Sequence, residues 1–256
     1  MPGSTVIALL AALQTETTGL RRRLVLAPER GAGQPSPLFV GRYRGRAVLL
    51  TWTGMGRQKA EAGVEAVLAR YRPDVVVAIG FSGALAKRLR VADLLLPSEL
   101  MGLTGPAGDG VEPSTYRPDR ELLDAATAAL GPASQRVVIG PAVTAPGVVA
   151  TPAEKQSLSR QTGALAVDME SYWVARQVAV RGIPFLAVRA ISDALEDRLP
   201  PFDEILNADG RPRVDRLAAG LLREPAGLAA VLSLARNAGR ARRALAVGVA
   251  CAVAAL

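Results

Sequence analysis

The sequence predicts an α/β fold. Short β-branched runs bounded by Gly, Pro or charge alternate with longer stretches of helical periodicity, a rhythm that builds helix-covered sheets rather than all-β architecture. Half of the 256 residues are hydrophobic and 21% are charged, so a substantial core is available and disorder is not expected. No long Gly/Ser- or Pro-rich linker divides the chain, which reads as one domain over residues 5–223 followed by a C-terminal helical extension over 224–256.

Taken in order, residues 6–11 form an apolar run. It is preceded by no Lys or Arg and followed by Gln14, Thr15 and Glu16 rather than a small-residue cleavage site, so a buried strand fits better than a signal peptide. A second strand is expected at 46–52 and a third at 75–80. Between them, Ala60, Val64, Val67, Leu68 and Tyr71 recur at helical spacing within 57–71, completing a strand-helix-strand unit. Further strands are expected at 93–97 and 136–140, and a short helix at 152–160.

A longer helix is expected over 168–181, with Met169, Trp173, Val174, Val178 and Ala179 facing inward and Gly182 and Pro184 ending it. The run 185–191 is almost continuously apolar, as in a strand buried on both faces. Its C-terminal end carries Ser192 and Asp193, at the edge where α/β folds build sites. Pro200 and Pro201 then open a loop, Asp209 and Gly210 mark a turn, and two helices are expected at 214–223 and 228–243. Residues 244–256 carry no charge and are fewer than the about 20 needed to span a bilayer. They fit either a core-packing or interface helix, or peripheral membrane contact beside Arg240, Arg242 and Arg243.

Composition excludes several chemistries. The chain has no histidine and one cysteine, Cys251, so a Ser-His-Asp triad, a Cys-His dyad, a His-rich zinc site and an internal disulfide are all ruled out. Acid-base work falls to Asp, Glu, Lys or Tyr, with Arg to position anions or hydroxyls. No cofactor or metal site is expected. The formal charge of +8 fits nucleic acid, anionic lipid or a coding bias toward arginine. Without aromatic-basic interleaving or zinc-finger spacing, no nucleic-acid partner is expected.

Two carboxylate groupings stand out. Asp193, at the end of a buried strand and beside Ser192, is placed to donate a proton if burial lifts its pKa from about 3.9 toward neutrality. Asp168 and Glu170 flank Met169 at an expected helix start. Acids there offset the helix dipole by about 0.3 to 1 kcal/mol. Equally, a carboxylate can accept from two adjacent sugar hydroxyls while Met gives the ring a pliable floor. Spacing leaves both readings open.

The segment VDMESYWVARQVAVRGIPFLAVRAISD (167–193) resembles the signature of the purine and uridine phosphorylase superfamily, in particular its methylthioadenosine/S-adenosylhomocysteine nucleosidases. ALLAALQTET near the start, TGMGRQKAEAG and RPDVVVAIGFSGAL are similar to that family's first strand and acidic turn, its Gly-rich turn and helix, and its central strand and loop. The resemblance runs through most of residues 5–205. It implies a three-layer α/β/α nucleoside phosphorylase-like domain with a central mixed sheet, followed by the C-terminal helices. It also implies cleavage of the N-glycosidic bond of an adenine nucleoside.

Carried over by position, the resemblance implies that Glu170 binds the ribose hydroxyls and Met169 packs on the sugar. Asp193 becomes the general acid at the purine N7, oriented by Ser192. Glu16 binds the attacking water, and Arg189 supports the same pocket. Asp168 stands where these nucleosidases usually carry Glu, which alters base-side contacts. Phe81 replaces the small polar residue of the central loop, with Ser82 and Gly83 following it as substrate contacts, and the Gly-Asp-Pro phosphate motif is missing. These departures favour water over phosphate and leave the nucleophile open.

The motifs DMES, LPP (199–201), NADGRP (207–212) and LLREPAGLAAVLSLARNAGRARRAL (221–245) resemble the hopanoid-associated branch of the family. That branch implies adenosylhopane, a lipid-linked nucleoside, as substrate. A greasy exit from the ribose pocket is then required, and Trp52, Phe81, Tyr172 and Trp173 are the aromatics distributed to line it. The alternatives are a nucleosidase of methionine salvage and a non-catalytic nucleoside-binding protein. The expected location is cytoplasmic, or peripheral to the inner membrane face through the C-terminal tail, and the resemblance implies a homodimer or larger assembly.

Overall fold

The computed structural model describes residues 5–29, 37–104, 110–112, 114–131, 135–200 and 227–256. The first strand, β1 (Val6–Ala11), lies between two parallel neighbours, β4 (Arg46–Trp52) and β5 (Val75–Ala84), so its apolar run is buried from Ile7 onward. Helix α1 (Gln14–Arg23) follows, with Glu16 in its first turn and Arg21, Arg22 and Arg23 in its last, each sign favoured by the helix dipole. Sequence periodicity missed the next hairpin, in which β3 (Leu38–Tyr43) pairs antiparallel with β4 and β2 (Ala27–Pro28) pairs with β3. Its turn places Arg44 and Gly45 at φ 50° and 87°, the double left-handed geometry of a two-residue hairpin.

Helix α2 (Arg57–Arg70) buries Ala60, Val64 and Val67, as their spacing predicts. Beyond β5 come β6 (Leu94–Thr104), the short β7 (Gly110–Val111), α3 (Arg120–Leu130) and β8 (Val137–Thr144). Helix α4 (Pro152–Thr162) opens with a capping box between Thr151 and Glu154 and stops at Gly163, whose φ of 68° suits a left-handed cap. The chain continues through β9 (Ala166–Asp168), α5 (Ser171–Ala179), β10 (Phe185–Asp193) and α6 (Gly227–Ala255).

The sheet is mixed, and it closes on itself in part. β5 pairs with both β10 and β9, while β10 continues through β6 and β8 back to β9, so five strands form a closed circuit. The arm β1-β4-β3-β2 extends from β5. Strands with partners on both sides run longer than their apolar runs suggest. That is why β5, β6, β8 and β10 outlast the expected ends at 80, 97, 140 and 191.

Three expectations need correction. The helix expected at 168–181 begins at Ser171, because Asp168 ends β9 in register with Thr144 and Glu170 holds a non-helical cap position. The helix expected at 228–243 and the uncharged tail are one continuous α6, which packs on β10, α1 and α3. Ala244, Leu245, Ala246, Val249, Ala250, Ala252 and Val253 are buried there, so the apolar side of the tail packs on protein. Gly248 permits close approach to β6, since a Cβ there would stand 2.4 Å from Leu94. Among the described residues no helix is long and apolar enough to cross a membrane. The third correction concerns the aromatics. Tyr172 and Trp173 are buried core residues, and Trp52 stacks on Phe39. The expected 214–223 helix, the NADGRP motif and the 223/224 boundary lie outside the described residues.

Candidate active site

The C-terminal ends of β5, β9 and β10, with the turn that follows β1, meet at one cavity of about 420 Å³. Its walls include Glu16, Phe81, Ser82, Gly83, Asp168, Met169, Glu170, Ser192 and Asp193. Of the ten residues singled out from sequence, nine therefore meet in one place. Arg189, the tenth, stands directly behind them, 2% exposed.

Register explains how β5 and β10 share this space. They run parallel with Arg189 opposite Gly80 and Asp193 opposite Gly83, and an irregularity between Ile191 and Asp193 re-aims the end of β10. A Cβ on Gly80 would lie 2.3 Å from Arg189 and 2.7 Å from Glu16 Oε1, and one on Gly83 would lie 2.8 Å from Asp193 Oδ2. Both glycines leave room for a functional side chain from another element.

Glu16 is buried and accepts three backbone N–H groups, those of Ala12 (3.0 Å) and Leu13 (2.8 Å) at Oε2 and that of Phe81 (2.8 Å) at Oε1. A carboxylate has about four acceptor positions, so one remains. Burial raises its pKa, against the opposing pull of Arg189 and the three N–H donors. Phe81 thus contributes through its backbone, which any residue type supplies.

Asp168 lines the cavity, yet its carboxylate is engaged within the protein. Oδ1 accepts from Thr144 Oγ1 (2.6 Å) and from the backbone of Glu170 (3.2 Å) and Ser171 (3.1 Å), while Arg189 Nε lies 2.9 Å from Oδ2. Arg189 also donates from Nε (2.8 Å) and Nη2 (2.6 Å) to Ser171 Oγ. Asp168, expected as a substrate contact, thus stands on the cavity wall and also ties β8, α5 and Arg189 together.

Glu170 accepts from Gly56 N–H at 2.8 Å through Oε1, and Oε2 has no hydrogen-bond partner among the described residues. Gly56 has a φ of 87° at the head of α2, a backbone shape that brings its N–H to the carboxylate. Burial, and then the nearby charges of Asp168 and Glu16, push the Glu170 pKa up to about 8, with Arg189 and Gly56 opposing. Met169 beside it is half-buried on the cavity wall.

At the other side, Ser192 Oγ donates to Asp193 Oδ1 at 2.7 Å, the orientation expected of it. Sequence reading missed the partner of Oδ2: Lys155, on α4, whose Nζ donates at 2.5 Å. The only available signal was a lysine in a capped helix, which ordinarily faces solvent. Ser82 Oγ is buried with no hydrogen-bond partner among the described residues.

Of the four aromatics expected at a greasy exit, only Phe81 lines the cavity. Apolar walls come instead from Met55, Val148, Val149 and Leu199, and from Leu234, Ala235 and Ala238 of α6, with Arg242 nearby. This arrangement can hold a sugar-sized polar group among carboxylates and a hydrophobic substituent against α6.

The sequence profile of the phosphorylase superfamily matches residues 6–224. The 5'-methylthioadenosine/S-adenosylhomocysteine nucleosidase of Staphylococcus epidermidis is 26% identical over 212 residues, covering 79% of this chain and 92% of its own. In fold, the chain is similar to the 5'-methylthioadenosine/S-adenosylhomocysteine nucleosidase of Neisseria meningitidis in complex with methylthio-immucillin-A, with a TM-score of 0.77, 20% identity and 98% and 100% of the two chains covered. The futalosine hydrolase of Helicobacter pylori has a TM-score of 0.78, 18% identity and 98% coverage of both chains.

Proposed function

The chain belongs to the phosphorylase superfamily, and from that premise we propose that it cleaves the N-glycosidic bond of an adenine nucleoside bearing a 5'-substituent. One observation carries the reading: a single cavity presents a carboxyl group for a leaving base, Asp193, opposite a cluster of acids suited to a cationic sugar. Bond cleavage demands a proton for the base and stabilisation of the ribosyl group as it gathers positive charge.

Asp193, oriented by Ser192, protonates the base. The ribose lies on Met169 with its hydroxyls donating to Glu170, which favours the charged form of that carboxyl and so opposes its raised pKa. Water takes the remaining acceptor position of Glu16, whose raised proton affinity suits a base, and attacks C1'. A carboxylate at that position repels phosphate, which supports hydrolysis over phosphorolysis. The unpartnered Ser82 hydroxyl is available to the nucleophile.

The finer reading is adenosylhopane as substrate, supported by the apolar wall that α6 contributes to the cavity. Methylthioadenosine is the second reading, favoured by the Staphylococcus epidermidis relative. The test incubates the protein with each compound, with and without phosphate, and identifies the products. Free adenine with free sugar is expected, whereas ribose 1-phosphate would replace water by phosphate. Asp193→Asn is expected to lower kcat by about 100-fold or more with KM little changed. Unchanged turnover would remove Asp193 from the acid role.

A further inference from the structure

We propose that Lys155 supplies the proton that Asp193 passes to the departing base, so that the two side chains act as one donor. The inference rests on the nucleosidase reading above. Lys155 is fully buried, and its Nζ donates to Asp193 Oδ2 (2.5 Å), to the Ala194 carbonyl (2.7 Å) and to the Asp197 carbonyl (3.0 Å). An ammonium has three N–H groups, whereas a neutral amine has two and a lone pair. The two carbonyls satisfy two N–H groups in either state. The third N–H has the carboxylate as its acceptor and is the one that can move.

The step balances. An Nζ–H bond breaks as the Oδ2–H bond forms. The carboxyl O–H bond then breaks as an N–H bond forms on the base, and the electron pair of the C1'–N bond leaves with the base. Lysine is left as a neutral amine, still donating to both carbonyls, and regains a proton from water once the base has gone. A staple holding the 194–197 turn to α4 needs no charge, because a neutral amide could donate to both carbonyls without the cost of burying an ammonium.

The experiment compares full-length wild type with Lys155→Met and Lys155→Gln on two substrates, at about pH 8. Adenine must be protonated to leave 5'-methylthioadenosine, whereas 4-nitrophenolate leaves 4-nitrophenyl riboside unprotonated. The ratio of the two kcat values within one sample does not depend on how much of a variant is folded. That ratio is expected to shift about 100-fold against adenine release, with KM for the nucleoside within about 3-fold. A ratio unchanged within about twofold, both activities falling together, would reduce Lys155 to a staple and overturn the proposal while leaving the nucleosidase reading intact. Wild type that releases no adenine overturns that reading, and this inference with it.

Discussion

Two ends of one cavity handle charge in opposite ways. On the sugar side, Glu16, Asp168 and Glu170 gather around one guanidinium, that of Arg189. On the base side, Asp193 has an ammonium of its own in Lys155. Burial above all makes Glu16 and Glu170 hold protons above their usual range, with Arg189 opposing at both and the charges of Asp168 and Glu16 adding to the effect at Glu170. An acid-rich wall that gives up protons as positive charge develops suits an oxocarbenium-like ribose. The one-to-one pair of Lys155 and Asp193 instead suits the proton transfer proposed above.

The largest effect is expected from removing the shared cation. Arg189→Met leaves the acids uncompensated and is expected to destabilise the protein by about 3–5 kcal/mol, measured by urea unfolding near neutral pH. The loss should shrink on acidification, when the carboxylates are neutral. A pH-independent loss would show that Arg189 acts through packing alone.

Glu170→Gln probes the sugar side through pH. The Glu170 carboxyl takes up its proton at about 8 in the folded chain, against about 4.3 when unfolded. Between those values the folded state holds a proton that the unfolded state lacks, so this group's contribution is full below about 4.5 and is lost as pH rises through about 8. Wild-type stability is expected to decline across that window, and Glu170→Gln to flatten the decline by roughly 4–5 kcal/mol. Parallel profiles for the two proteins would place the uptake elsewhere.

The smallest expected effects separate the two glycines of β5. Gly80→Ala meets Arg189 and Glu16, and Gly83→Ala meets Asp193. Overpacking of this kind costs about 1–3 kcal/mol, with Gly80→Ala at the upper end because two ionisable side chains must move. Gly83→Ala is expected to show the milder loss of stability and the clearer loss of kcat. Equal effects on both quantities would argue that the two ends are mechanically one unit.

Much of this was legible in the chain. The strands Val6–Ala11 and Arg46–Trp52 stand at the residues expected, since charge and polar residues bound their apolar runs. The convergence of Glu16, Glu170, Arg189 and Asp193 was legible only through the motif resemblance, as Glu16 on α1 and Glu170 at the head of α5 are brought to β10, which carries Arg189 and Asp193, by the tertiary fold. The β2-β3 hairpin was missed because its apolar run is short and broken by Gly41 and Arg42. Asp168 was read as a helix acid because strand β9 is too brief to show a period.

Composition and periodicity were enough to set the chemistry available: a chain without histidine leaves acid-base work to carboxylates, Lys or Tyr, and its apolar periods specify an α/β core. The state of those carboxylates was left to the tertiary structure. For Glu16 and Glu170 proton content depends on burial and on neighbours far away in sequence, such as Arg189, which opposes the raised pKa of both. The same holds for Gly80 and Gly83, which are ordinary strand interruptions until another strand lays Arg189 and Asp193 against them. Local pattern fixes what a residue is, and long-range packing fixes the electrostatic surroundings that give it a role.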